Sequence, residues 1–232
     1  MSMSEAAKHH KENPLINIGL NVIIPSVIMT KFSNADYLGP VWGLVVALAF
    51  PISYGLWDFL SKGKTNFFSL LGLFSVLMTG GIGLLKLDKN WMVVKETAIP
   101  ALMGIGVLVS AVMGKPLVRL FLDQIMDIPK IDEAFKNKGH DQLFEKNIKL
   151  SNTLLAGTFF LSAVLNFVLA VWILEGETGS EKFNESLGKM TLLSFPVITV
   201  PMMVMVMGII FFLINSIKRN TDLELEEVIK AE

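Results

Sequence analysis

Six apolar stretches, each long enough to form a helix across a bilayer, divide the chain. They cover residues 14–30, 38–60, 67–85, 99–117, 150–174 and 187–217. A hydrocarbon core of about 30 Å takes roughly 20 residues at about 1.5 Å per residue. The pattern therefore predicts an all-α integral membrane bundle of six transmembrane helices, with residues 1–232 forming a single domain.

The connection between the fourth and fifth stretches, residues 118–149, is the longest polar segment between two spans. Val118, Phe121, Leu122 and Ile125 recur there at helical spacing, with Arg119 on the other face. This pattern predicts a short amphipathic helix lying on the cytoplasmic leaflet. The connection as a whole is either a solvated connector, which is favoured, or an element that binds a partner.

Two helix starts are predicted near the ends of this connection and of the chain. Asp141 is placed to cap the helix that leads into the fifth span. Thr221 and Glu224 have the spacing of a capping box, which predicts a short acidic helix over residues 222–231, within the tail of residues 218–232.

The distribution of Lys and Arg predicts the orientation. With the N-terminus in the cytoplasm, fourteen of the 20 basic residues lie on the inner side and six on the outer side. The positive-inside rule therefore places both termini in the cytoplasm. Trp42, Trp91 and Trp172 then fall at the outer interface and Trp57 at the inner one, where tryptophan anchors concentrate.

Composition supports the membrane class and argues against several functions. The chain is 52% hydrophobic and 18% charged, with a mean hydropathy of +0.56, which is too apolar for a soluble domain. A net charge of −1 gives no basic surface for nucleic acid. There is no cysteine, and His9, His10 and His140 lie outside the spans. We therefore expect no catalytic site, no metal site and no cofactor.

Small residues at four-residue steps predict close helix packing in the second, third and fourth spans, because lipid gives helices no hydrophobic gain on association. A homodimer formed through one of these stripes remains an alternative to internal packing. The stripes consist of Gly39, Gly43, Ala47, Pro51 and Gly55, then Ser75, Thr79 and Gly83, then Gly106, Ser110 and Gly114.

A group of polar residues lies in the inner half of the first three spans: Asn17, Asn21, Tyr54, Asp58 and Asn66. Polar side chains at membrane depth face other helices or a wet cavity. The group therefore predicts either interhelical packing contacts or a cavity open to the cytoplasm. A signal peptide at this end of the chain is disfavoured, because five further spans follow the first.

Residues 79–122 resemble the bacterial intracellular septation protein A family, also called YciB. The resemblance rests on Gly80 and Gly81 at the end of one span, on the short charged and aromatic loop that follows, and on Lys115 and Pro116 after the next span. It extends over residues 65–215, through Asn166 and the stretch FNESLGKMTLL. The chain is similar to a divergent member of this superfamily.

The resemblance implies a multi-pass protein of the bacterial inner membrane, linked to envelope upkeep and division, without established catalytic residues. We expect a non-enzymatic protein that acts in cell-envelope organisation through membrane lipids or inner-membrane proteins, a second copy of the chain included. The alternative is a small secondary transporter or lipid-handling protein with a polar cavity facing the cytoplasm.

Overall fold

The computed structural model describes residues 17–62 and 67–230, with side chains left out at residues 58, 59, 61, 62, 67–69 and 225. Within this part of the chain the protein is helical and contains no β-strand, apart from one antiparallel bridge between Met126 and Ile229. The prediction of an all-α fold is therefore confirmed at the level of class.

Nine helices follow one another along the described residues. In chain order they are α1 (Gly19–Phe32), α2 (Gly39–Lys62), α3 (Phe67–Leu84), α4 (Asn90–Val112), α5 (Leu117–Ile125), α6 (Ile128–Asn137), α7 (Asp141–Ile173), α8 (Glu181–Thr221) and α9 (Leu225–Val228).

Four of these helices, α2, α4, α7 and α8, are long and apolar enough to cross a membrane. Only 17% to 22% of the residues in their most apolar windows are buried in the protein, so these helices present their apolar side chains outward. This exposure indicates a multi-pass membrane protein. Two further apolar helices are shorter, α1 and the Leu70–Leu84 part of α3, and the count of six spans stays a prediction.

Two helices begin well before their predicted spans. α4 begins at Asn90, whose backbone N–H donates to the Asp88 carboxylate over 2.7 Å, so residues predicted as outer loop are helical. α7 begins at Asp141 and runs for 33 residues, so the polar end of the 118–149 connection belongs to the same helix as the fifth span. Hydropathy marks the membrane boundary, which need not coincide with the end of a helix.

Two prolines inside helices coincide with π-helical turns. The turn over Gly19–Ile23 precedes Pro25, and a second turn over Phe195–Thr199 contains Pro196. In the first turn Ile24 N–H donates to Gly19 O, five residues back. A π turn re-pairs backbone groups where proline interrupts the α pattern, so the helix continues without a break.

The described chain divides into two compact units. Unit 1 contains residues up to Met92 together with Ile173–Leu192, and unit 2 contains Val93–Trp172 and the residues from Leu193 onward. All three unit boundaries fall inside helices. The prediction of a single domain stays a prediction.

In unit 1, α2 and α3 pack closely at two glycines of α3, and of these only Gly83 belongs to a predicted stripe. A Cβ added at Gly83 would collide with Leu44, and one at Gly80 would lie 3.1 Å from Leu48 Cδ1. Ala47 lies between these contacts and is fully buried. The absence of side chains lets the helices approach closely enough for dispersion contacts to hold them together.

In unit 2 the small residue in close contact is Gly104, which the predicted stripe did not include. A Cβ at Gly104 would lie 3.1 Å from two atoms of the Phe160 ring, so α4 and α7 pack here through an aromatic face on a glycine. Gly106 has nothing within 4 Å, and Gly114 lies beyond the end of α4 with φ +73°. Packing through the Gly106 stripe is therefore a wrong prediction.

Replacing Gly188 of α8 by alanine should lower the thermal unfolding temperature of the protein. Its Cβ would lie 2.8 Å from the Ser26 backbone oxygen and 2.9 Å from Thr30 Cγ2, and overpacking of this kind costs about 1–3 kcal/mol. Gly208→Ala, in the same helix with nothing within 4 Å, is the matched control and should be neutral or stabilising. Equal unfolding temperatures for Gly188→Ala and the wild type in detergent would contradict the packing.

Candidate functional site

Asn17, just before α1, Asn21 of α1 and Tyr54 of α2 form a hydrogen-bonded chain in unit 1. The Asn17 amide donates to the Tyr54 hydroxyl oxygen over 3.3 Å, and the Asn21 amide donates to the Asn17 carbonyl oxygen over 3.1 Å. All three side chains are half-buried. Three of the five residues predicted to line a polar cavity therefore lie together.

The other two predicted cavity residues add nothing to this geometry. Asp58 lies one turn beyond Tyr54 in α2, and its side chain is outside the described residues, as is the whole of Asn66. The hydrogen-bonded side chains of Asn21, Asn17 and Tyr54 are amides and a hydroxyl, which bind polar groups by hydrogen bonding. An interhelical hydrogen bond of this kind contributes about 0.6 kcal/mol on average, so the Asn17–Tyr54 bond is a modest link between two helices.

The residues that carry the family resemblance have packing and turn roles. Gly80 is buried against Leu48, whereas Gly81 is half-buried with nothing within 4 Å. Lys115 is exposed and Pro116 is buried in the turn that joins α4 to α5. In this turn the Leu117 N–H donates to Ser110 Oγ over 3.1 Å.

Asn166, the last of the motif residues, forms hydrogen bonds within its own helix among the described residues. Its amide donates to the Ser162 carbonyl over 2.8 Å and to Ser162 Oγ over 3.3 Å. A side chain that bonds four residues back joins no neighbouring helix.

Asn152 is a buried asparagine that links helices in unit 2, and sequence reasoning missed it. Its amide donates to the Val107 carbonyl of α4 over 2.7 Å, and its carbonyl oxygen accepts from the Val118 N–H of α5 over 3.3 Å. Asn152 is fully buried, so one side chain satisfies backbone groups of two other helices. The available signal was a polar residue two positions into the fifth apolar stretch.

A second missed position, Asn184, lies in the FNESLGKM stretch at the start of α8. Its fully buried amide donates to the Pro40 carbonyl over 2.6 Å. Two residues on, Ser186 Oγ accepts from the Glu175 N–H over 3.1 Å. The Lys182 ammonium hydrogen-bonds the Glu175 carboxylate and holds the pKa of Glu175 below its usual value. These bonds fix the connection before α8 to the first turns of α8, and the first turns of α8 to the start of α2.

The 118–149 connection and the tail form one packed body, here called the loop–tail subdomain (residues 117–148 and 209–230). Phe135 stacks on Phe144 with ring centroids 5.1 Å apart, and both rings are almost completely buried. Burying such side chains contributes about 1.5–3 kcal/mol each. The core also contains Val118, Leu122, Met126, Ile128, Ile131, Ile148, Ile209, Leu213, Ile217 and Val228.

Arg119 connects three helices of the loop–tail subdomain. Its guanidinium pairs with Asp132 of α6 and with Glu145 of α7, and it lies 5.9 Å from the centroid of the Phe144 ring. The planar guanidinium provides donors on two sides and a face for the ring. The residue predicted to lie on the polar face of an amphipathic helix therefore links α5 to its neighbours.

The α6 helix was not predicted, because a proline at position 129 is as compatible with a break in the connection as with a helix start. Asp127 caps this helix, accepting from the Lys130 N–H over 3.2 Å, and Pro129 lies in the first turn, where its missing N–H costs nothing.

The predicted capping box in the tail is wrong by one turn. Thr221 is the last residue of α8 and donates to the Ile217 carbonyl over 2.7 Å. Glu227 instead accepts from the Glu224 N–H over 3.0 Å at the start of the four-residue helix α9.

The surface of α5 carries an apolar face that the loop–tail core leaves uncovered. Val118 and Leu122 are buried in the core, whereas Leu120, Phe121 and Ile125 are each 45% to 59% exposed. Only four residues separate the end of α4 from the start of α5. Val112, the last residue of α4, is 89% exposed. The amphipathic helix is therefore present, and it has apolar residues on two sides.

Comparisons of the chain with protein-family models, with curated proteins and with solved structures find no match. The resemblance to the septation protein A family therefore stays a prediction.

Replacing Asn152 by alanine should destabilise unit 2 by about 1–3 kcal/mol, because the buried Val118 N–H loses its acceptor and the Val107 carbonyl, which also accepts from Ser110 Oγ, loses one of its donors. Asn166→Ala is the matched control in the same helix, since the side chain of Asn166 bonds to Ser162 of its own helix among the described residues. The measurement is thermal unfolding in detergent. Equal losses for the two variants would show that the interhelical bonds of Asn152 contribute nothing specific.

Proposed function

We propose that the chain is a non-enzymatic protein of the bacterial inner membrane that acts in cell-envelope organisation or division through lipid or protein partners. In this proposal it has six spans and both termini in the cytoplasm, so that the loop–tail subdomain lies on the cytoplasmic side. Fourteen of 20 basic residues on that side support the orientation.

The observation that carries the proposal is the exposed apolar face of α5, formed by Leu120, Phe121 and Ile125 on a packed subdomain. A face of this kind, beside membrane-spanning helices, fits the headgroup region of a bilayer or the surface of another membrane protein. An exposed basic residue, Lys115, lies two positions before α5. Positive charge favours contact with anionic partners.

The double variant Phe121→Asp with Ile125→Asp should abolish function while the protein still inserts into the membrane. Carboxylates on this face oppose burial against lipid or an apolar partner, whereas the core contacts of Val118 and Leu122 remain. The measurement is rescue of envelope or division defects in cells that lack the chain, with protein level in isolated membranes measured in parallel.

Gln124→Asp is the matched control, because it adds the same group at an exposed polar position of α5. It should rescue as well as the wild type. Full rescue by the double variant at normal protein level would overturn the proposal.

A second candidate function is supported by the Asn21, Asn17 and Tyr54 hydrogen-bonded chain. Polar groups joined in this way at membrane depth also suit a small transporter or lipid-handling protein with a cavity facing the cytoplasm.

If this second function holds, Asn21→Leu and Asp58→Asn should each change substrate uptake or lipid distribution between the leaflets without lowering protein level. Asn166→Leu is the control, because the side chain of Asn166 bonds within its own helix among the described residues. Wild-type behaviour of both variants in a direct transport assay would exclude this alternative.

A further inference from the structure

The end of the chain pairs with the linker between α5 and α6 in the manner of an added β-strand. The Asp127 N–H donates to the Val228 carbonyl over 2.8 Å, and the Lys230 N–H donates to the Ile125 carbonyl over 3.0 Å. Met126 and Ile229 face each other in this antiparallel pair. Main-chain pairing of an extended segment with an exposed edge is a general mode of peptide recognition.

The residue that leads into the paired segment is buried in a pocket. Val228, the last residue of α9, is fully buried with the core of the loop–tail subdomain, whereas its neighbour Ile229 is 51% exposed. A buried position of this kind selects the side chain that fits. The pocket that holds Val228, together with the Ile125–Asp127 edge, is here called the tail groove.

Charge on the two sides of the tail groove is complementary. The tail from Asp222 to Glu227 contains four acidic residues. Lys138 pairs with Asp222, and the Lys130 ammonium donates to the Glu227 carbonyl over 2.8 Å. The two side chains of the Lys138 pair are 48% and 76% exposed, so salt screens this attraction.

The connection between α8 and the paired segment is short and turns at one residue. Asp222 adopts the left-handed conformation with φ +58°, and only residues 222–224 separate α8 from α9. A side chain other than glycine is uncommon in this conformation. Short hinges of this kind favour exchange of a terminal segment between two copies of a chain.

We propose that the tail groove is a peptide-docking site that exchanges its occupant, binding either its own tail or the tail of a second copy of the chain. The groove recognises an acidic segment that includes one helical turn and has a β-branched residue at the buried position. Two copies joined in this way contribute one tail to each other's groove. This inference does not depend on the envelope function proposed above.

The absence of cysteine from the chain allows a direct test by disulfide trapping. Two differently tagged full-length copies are produced in the same cells, one carrying Met126→Cys and the other Ile229→Cys. Membranes are then oxidised and mixed dimers are counted through the tags. Residues that face each other across an antiparallel pair are close enough to cross-link. A single chain with both substitutions reports docking of its own tail.

We expect a disulfide within the doubly substituted chain and, in the mixed membranes, several-fold more dimer than from Lys146→Cys paired with Ile229→Cys. Lys146 is an exposed control position that reports random collision. Adding Val228→Asp to the tail copy should reduce trapping about tenfold or more, because a carboxylate is excluded from an apolar pocket. Trapping should also fall in 1 M salt, where the Debye length is about 3 Å.

Three results would overturn the inference. Mixed dimer no more abundant than in the Lys146→Cys control would show that the tail docks only in its own chain. The absence of a disulfide within the doubly substituted chain would show that the tail does not dock in the tail groove at all. Adducts of Met126→Cys with other proteins, in place of a second copy, would assign the groove to a different partner.

Discussion

Hydrocarbon offers no water to a backbone N–H or C=O, so each such group in a membrane-spanning segment must bond within the protein. The helices satisfy most of these groups, and buried side-chain amides add bonds from one helix to the backbone of another. Asn152 bonds the Val107 carbonyl and the Val118 N–H, and Asn184 bonds the Pro40 carbonyl. The π turns beside Pro25 and at Pro196 answer the same requirement where proline removes a donor.

Patterns along the chain predicted the helical class, the apolar segments and close packing of helices through small residues. They rest on quantities that act locally, namely hydropathy summed over a window and side-chain size at helical spacing. The same reasoning did not separate Asn166 from Asn152, because the two residues lie in one helix and differ only in what stands opposite them. Partners across the fold carry no signal in a single sequence.

Prediction was weakest in the loop–tail subdomain, where short elements depend on one another. Pro129 is compatible both with a break and with a first helical turn, and the cap from Asp127 decides between them. Thr221 and Glu224 have the spacing of a cap, yet α8 continues to Thr221 and moves the cap to Glu224 and Glu227. For the polar group near α1, the sequence predicted proximity of Asn17, Asn21 and Tyr54, and the hydrogen bonds needed coordinates.

The short connection after Asp222 has a consequence for anything that competes for the tail groove. A segment tethered by a few residues is present at its site at an effective concentration in the millimolar range. A free peptide of equal fit at micromolar concentration would therefore occupy few grooves. Only a segment held on the same membrane surface, or one with a much better fit, competes on equal terms. The tether thus restricts the competitors of the tail by local concentration as well as by shape.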